Sequence, residues 1–207
     1  MTFGPKPVVA IDIDGTLGDH FEWTARFAEM WTGHEIKYDP QQGWPDGATK
    51  FQFNKALGLS KNTYRQMKLA YRQGGMKRSM PCYDGASELT RNLRRCGAEV
   101  WITTSRPYLH LSNIDPDTRH WLRRNKIQYD SLIYGDRKYY DLVRLVGKDR
   151  VVACLDDLPE MCVQALRAGI HPIMIERPHN EQANWSGSFA ANLTEAQFLL
   201  RGMLDGR

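Results

Sequence analysis

The residues best suited to chemistry stand in a short run near the N-terminus, Asp12-Ile13-Asp14-Gly15-Thr16. A β-branched stretch, Val8 to Ile13, precedes the turn sequence Asp14-Gly15-Thr16 and follows Pro5 and Pro7. Two carboxylates thus sit at the carboxyl end of a first strand, where open α/β sheets bind their ligands. A plain polar turn would use the same letters. At average residue usage, however, Asp-x-Asp-Gly-Thr arises by chance in a chain this long with odds on the order of 10⁻³ to 10⁻². Three further strand ends are polar in a related way. Glu99 to Thr103 leads into Thr104-Ser105-Arg106-Pro107, Ser131 to Tyr134 into Gly135-Asp136-Arg137-Lys138, and Val151 to Leu155 into Asp156-Asp157. Four strand ends therefore present Asp/Asp, Thr/Ser, Lys and Asp/Asp, groups used for nucleophilic, acid–base and anion-binding work.

The elements that must position these residues alternate. Helical spacing from Ser87 to Cys96 is stopped by Gly97, and helices at about Asp117 to Asn125, Tyr139 to Val146 and from Pro159 to Gly169 separate the strands. Ile170 to Ile175 reads as the last strand, Pro178 to Gly187 as surface loop, and Thr194 with Gln197 as a capping box opening a final helix. Strand–helix alternation predicts an α/β fold with a Rossmann-like, doubly wound parallel sheet. Residues 19 to 80 break the alternation. They carry helical patterns at about His20 to Trp31 and Ser60 to Gln73, joined by a turn-rich stretch around Pro40 to Gly47, and read as a small helical cap inserted after the first strand. The expected division is a core of residues 1–18 and 81–207 with a cap of 19–80.

Composition limits the remaining choices. A chain of 207 residues with 42% hydrophobic and 25% charged residues can bury a core and is not wholesale disordered. The longest apolar run, Val151 to Leu155, is far short of the roughly 18 residues of a membrane span. The first residues show no leader signature, so a soluble, cytoplasmic protein is expected. Cys82, Cys96, Cys154 and Cys162 lack Cys-x-x-Cys spacing and read as free, mostly buried thiols. The net charge of +4 hides an asymmetry: Gly47 to Tyr83 holds eight Lys or Arg and no acid, and the remainder sums to −4. Such a basic segment would draw anions, whether small phosphates or nucleic acid.

The four strand ends, in this order, resemble the four motifs of the haloacid dehalogenase (HAD) superfamily of aspartate-nucleophile phosphatases. The resemblance implies that Asp12 is the nucleophile and Asp14 the general acid, then the base. A carboxylic acid at residue 14 suits a poor alkoxide leaving group, hence phosphomonoesters rather than ATP. Mg²⁺ would be held by Asp12, the main-chain carbonyl of Asp14 and the Asp156/Asp157 pair, either of which could be the direct ligand. Lys138 supplies a further positive charge, with Lys148 a weaker competitor. Thr104, Ser105 and neighbouring main-chain N–H groups would hold phosphoryl oxygens. Arg106 either faces the substrate phosphate or fixes its loop.

An insertion after the first motif is the type-1 cap position in that superfamily. Within it, the chain is similar to the 5′(3′)-deoxyribonucleotidases in Asp-Gly-Thr-Leu-Gly-Asp at 14 to 19, Thr-x-Arg-Pro at 104 to 107, Trp121-Leu122, Ile127-x-Tyr129-Asp130 and Glu176-Arg177-Pro178-His179-Asn180. That resemblance implies nucleoside monophosphates as substrates. Trp44, Phe51 and Phe53 are candidate stacking surfaces for a base, or buried aromatics of the cap. Lys61, Arg65, Lys68 and Arg72 fall on one helix face beside Tyr64, Met67 and Tyr71. If that stripe tracks phosphates, a nucleic-acid 3′-phosphatase is the alternative. A sugar-phosphate phosphatase and a non-catalytic Mg²⁺-binding module complete the field.

Overall fold

The computed structural model describes residues 4–36, 38, 53–107, 109–181 and 183–206. Trp44, Phe51 and the turn-rich stretch from Pro40 to Gly47 lie outside the described residues. The centre is a six-stranded sheet, all of whose neighbouring pairs are parallel: β1 (Val8–Ile11), β2 (Glu99–Thr104), β3 (Ser131–Tyr134), β4 (Val151–Asp156), β5 (His171–Ile175) and β6 (Ser188–Ala190), in the order β3-β2-β1-β4-β5-β6. Every residue of β1 and β4 is buried, as expected of parallel strands covered on both faces, whose sequences run apolar without alternation. Helices α4 (Ala86–Arg95) and α8 (Leu193–Asp205) join one core cluster with Trp121 of α5 (Ile114–Arg124), whereas α6 (Lys138–Val146) and α7 (Pro159–Arg167) contribute to the other. This is the doubly wound α/β arrangement.

The strand order reverses at β1, because β2 lies on one side of it and β4 on the other. At such a switch point the flanking crossovers diverge and leave a crevice beyond the carboxyl ends of the strands. Asp12, Thr104 and Asp156 follow or close those three strands.

Between β1 and β2 the chain builds α1 (His20–Thr32), α2 (Phe53–Ala56) and α3 (Lys61–Gln73), then a 3₁₀ turn over Met76–Arg78. These helices have their own apolar cluster of Phe21, Ala25, Ala28, Phe53, Leu57, Met67 and Tyr71. Asp19 caps α1 by accepting from Glu22 N, and Ser60 caps α3 by accepting from Thr63 N. The outgoing and returning segments run side by side: Asp19 N donates to the Pro81 carbonyl and Tyr83 N to that of Leu17, each at 2.9 Å.

Three expectations need correction. Ser188–Ala190 is a sixth strand, so β5 is not the last. The final helix is capped by Asn192, which accepts from Thr194 N and Glu195 N, and not by Thr194. Of the four free cysteines only Cys154 and Cys162 are buried; Cys96 is exposed. Among the described residues no helix is long and apolar enough to cross a membrane.

Candidate active site

Asp12 leaves β1 with its N–H still bonded to the Leu155 carbonyl, 3.0 Å away, so its side chain is fixed at the sheet edge. The chain then turns sharply. Gly15 adopts φ +95°, a conformation that favours glycine, and a Cβ there would lie 2.2 Å from Asp157 Oδ2. Gly15→Ala therefore forces the turn and Asp157 apart. We expect a loss of at least about 2 kcal/mol of stability, read by thermal melts.

Asp12, Asp156 and Asp157 are all buried, and one carboxylate oxygen from each lies within 4.8 Å of the others. Lys138, at the start of α6, contacts Asp12 Oδ1 and reaches Asp156 Oδ2 at 2.7 Å. Tyr139 Oη donates to the same Asp156 oxygen at 2.6 Å, and Leu158 N donates to Oδ1 at 3.0 Å. Asp156 is thus fully engaged by the protein. Among the described residues Asp157 accepts a long bond from Thr16 Oγ1, 3.3 Å, has His179 Nε2 2.9 Å from its Oδ2, and faces the cavity described below. Lys148, exposed at the other end of α6, is not the lysine of this site.

Asp12 and Asp156 share the Lys138 ammonium, and Asp157 adds a third carboxylate beside them. Burial and then the charges of Asp156, Asp157 and Asp14 push Asp12 up to about 8, although Lys138 opposes this. Lys138 is itself raised: burial would lower it, but Asp12 and Asp156 outweigh that cost. The cluster is short of positive charge, and its donors are all hard oxygens. That combination fits a small divalent cation such as Mg²⁺.

Asp14 points elsewhere. Arg106 grips it through Nη2 to Oδ1 at 2.6 Å and Nε to Oδ2 at 3.1 Å, while Lys77 Nζ lies 2.6 Å from Oδ2. Burial alone would raise its carboxyl, but Arg106 and Lys77 outweigh burial and hold it well below the usual range. The Asp14 side chain is therefore not part of the carboxylate cluster. Arg106, only 3% exposed and also bonded to Thr118 Oγ1, fixes Asp14 in its place. Lys77 had no sequence signal. It arrives from the 3₁₀ turn after α3, contacts His20 Nδ1 at 3.1 Å, and is pushed down to about 7 by burial, with Asp14 opposing and Arg106 assisting.

The carboxylates open into a cavity of about 410 Å³, within the usual range for small-molecule sites. Its core side carries Asp12, Asp14, Thr104, Ser105, Arg106 and Asp157, and its α1–α3 side carries Phe21, Phe53, Tyr64, Lys68, Tyr71 and Arg72. Ser105 Oγ is buried with no hydrogen-bond partner among the described residues, an unsatisfied donor at the cavity wall. Phe53 is 2% exposed and meets Phe21, Tyr38 and Tyr64 edge-on, so it is chiefly a core aromatic. The basic stripe divides. Lys68 and Arg72 line the cavity, but Lys61 and Arg65 are exposed and stand outside its lining.

No protein-family model matches the sequence, and no curated protein matches it. Solved structures do. A HAD family hydrolase from Deinococcus radiodurans with bound phosphate and sodium superposes with a TM-score of 0.66 at 14% identity, covering 97% of this chain and 98% of its own. The fold is that of the HAD hydrolases. A subfamily IA HAD-superfamily hydrolase from Geobacter sulfurreducens gives a TM-score of 0.59 at 14% identity over 94% and 96% of the two chains. A mutant of CbbY from Rhodobacter sphaeroides in complex with xylulose-(1,5)bisphosphate gives 0.58 at 16% identity over 92% and 96%. The HAD fold thus accounts for nearly the whole chain, α1–α3 included.

Proposed function

We propose that the protein is a Mg²⁺-dependent phosphomonoester hydrolase of small metabolites, with nucleoside monophosphates as its preferred substrates and α1–α3 as its substrate-selecting cap. The observation that carries the chemistry is Asp12: a carboxylate at the sheet's switch point, open to the cavity and flanked by Lys138, Asp156 and Asp157. An oxygen of Asp12 attacks phosphorus as the bond to the ester oxygen breaks. The resulting aspartyl phosphate is then cleaved by water at phosphorus, releasing phosphate and restoring Asp12. Asp12, Asp157 and the Asp14 carbonyl would hold Mg²⁺, with Asp156 backing the cluster through Lys138 and Tyr139. The ion would supply charge neutralisation between carboxylates and phosphate. Ser105 and Thr104 would take phosphoryl oxygens.

Asp14 as held here is ionised, which suits it to accept a proton from the attacking water. Donating a proton to the leaving oxygen requires Arg106 or Lys77 to loosen their hold first. The organic part of the substrate would lie against Tyr64, within reach of Lys68 and Arg72. Arg72→Ala is expected to raise KM about tenfold with kcat little changed, as loss of uniform binding does.

The resemblance of the Thr-x-Arg-Pro and Glu-Arg-Pro-His-Asn segments to nucleotidases supports nucleoside monophosphates. The bisphosphate in the CbbY mutant, together with Lys68 and Arg72 on the α1–α3 side of the cavity, favours sugar phosphates as a second reading. Phosphate release with Mg²⁺ from 5′- and 3′-nucleoside monophosphates, sugar phosphates and a 3′-phosphorylated oligonucleotide, at low and moderate salt, separates them. Nucleoside monophosphates are expected to lead. A lead by sugar phosphates overturns the nucleotide assignment, and a salt-sensitive lead by the oligonucleotide makes the protein an end-processing phosphatase.

A further inference from the structure

The segment after β5 touches both loops of the site without entering the cavity. Arg177 Nε donates to the Gly15 carbonyl at 2.7 Å and Nη2 to that of Thr16 at 3.2 Å, and its guanidinium lies 4.0 Å from the Tyr83 ring centroid. Asn180, 1% exposed, donates from Nδ2 to the carbonyls of Asp157 at 2.7 Å and Ile175 at 2.8 Å. Its Oδ1 accepts from Arg177 N at 2.9 Å. The buried His179 ring brings Nε2 to 2.9 Å from Asp157 Oδ2 and 3.2 Å from the Asp157 carbonyl, and its centroid is 4.3 Å from that of Phe21 in α1. The segment is itself anchored, since Glu176 N donates to the Ala190 carbonyl of β6 at 2.9 Å.

We infer that Arg177, His179 and Asn180 form a positioning clamp that holds the Gly15 turn and Asp157 at the spacing a divalent cation requires. The clamp binds one loop through Arg177 and the other through His179 and Asn180. The two loops already press together at Gly15, where even a methyl group has no room. A small slip of either loop therefore changes the distance between Asp12 and Asp157. None of the three residues lines the cavity, so they act through the ligands and not on the substrate. Partners one shell out from a metal ligand typically set affinity by about 10–100-fold. His179 adds a contact to the cap, through a residue that does line the cavity.

The inference rests on the metal-dependent reading above, and its test is Mg²⁺ titration of the full chain by calorimetry. Asn180→Ala and His179→Gln are expected to weaken Mg²⁺ binding about 10–100-fold, while KM at saturating Mg²⁺ stays near the wild-type value. Arg177→Lys, which keeps the cation but not the fork, should fall between Arg177→Met and the wild type. Unchanged Mg²⁺ affinity in folded Asn180→Ala and His179→Gln overturns the clamp. If Asn180→Ala does not fold, His179→Gln and Arg177→Lys decide, and unfolding of all three overturns it by making these residues purely structural. A wild-type protein that binds Mg²⁺ but releases no phosphate from any ester sinks the phosphatase reading alone. One that binds no Mg²⁺ sinks both.

Discussion

Asp12→Asn is expected to lower phosphate release from every accepted substrate by a factor of about 10⁴ or more, because the amide cannot form the aspartyl phosphate and the remaining groups only bind and orient. The substitution is nearly isosteric and removes charge from a cluster that already holds too many carboxylates for one lysine. The variant should consequently melt no lower than the wild type without Mg²⁺, so lost activity cannot be ascribed to lost structure. The same change removes one oxygen ligand's charge, and Mg²⁺ should stabilise the variant less than it does the wild type, where ligand at 100 times its dissociation constant adds about 2.7 kcal/mol. Activity that survives undiminished in the variant would remove Asp12 from the nucleophile's role.

Lys138→Met has the opposite signature. The side chain is of similar length, but its loss leaves Asp12 and Asp156 buried without their shared cation. Breaking a buried pair from one side costs about 3–5 kcal/mol, because the abandoned charge has no water to turn to. We expect a lower denaturation midpoint, near-complete loss of turnover and partial recovery of stability with Mg²⁺. The double variant Lys138→Met/Asp156→Asn should regain much of the stability and none of the activity. Equal melting temperatures for Lys138→Met and the wild type would show that the ammonium is not the cluster's main counter-charge.

The readable part of this protein lay at its strand ends. Buried parallel strands are continuous apolar runs, so β1 and β4 announce themselves, and the first polar letters after them mark the sheet edge. Asp12, Thr104, Lys138 and the Asp156/Asp157 pair were legible for that reason, and the structure brings them together. Side chains that reach the edge from elsewhere carried no such mark. Lys77 lies in a 3₁₀ turn that follows Gly74-Gly75, 63 residues from Asp14, and His20 opens a helix whose periodicity explains it as well as any function does. Arg177, His179 and Asn180 resembled a nucleotidase ending, but their bonds to loop carbonyls have no counterpart in local spacing. β6 was missed because Ser188-Phe189-Ala190 is three residues at a sheet edge, too short for period-two alternation to emerge. The capping box at Thr194 fitted the pattern, yet Asn192 is the stronger cap and fixes the start two residues earlier.

The central place of β1 also governs how the molecule comes into being. Val8 pairs with Glu99 on one side and Val151 on the other, so β1 is made well before either of the strands that cover its edges. Contacts of such long sequence separation close slowly, and a bare apolar strand is exposed to wrong partners meanwhile. Asp12, one residue beyond that strand, thus meets Asp157 only once the chain has been made that far.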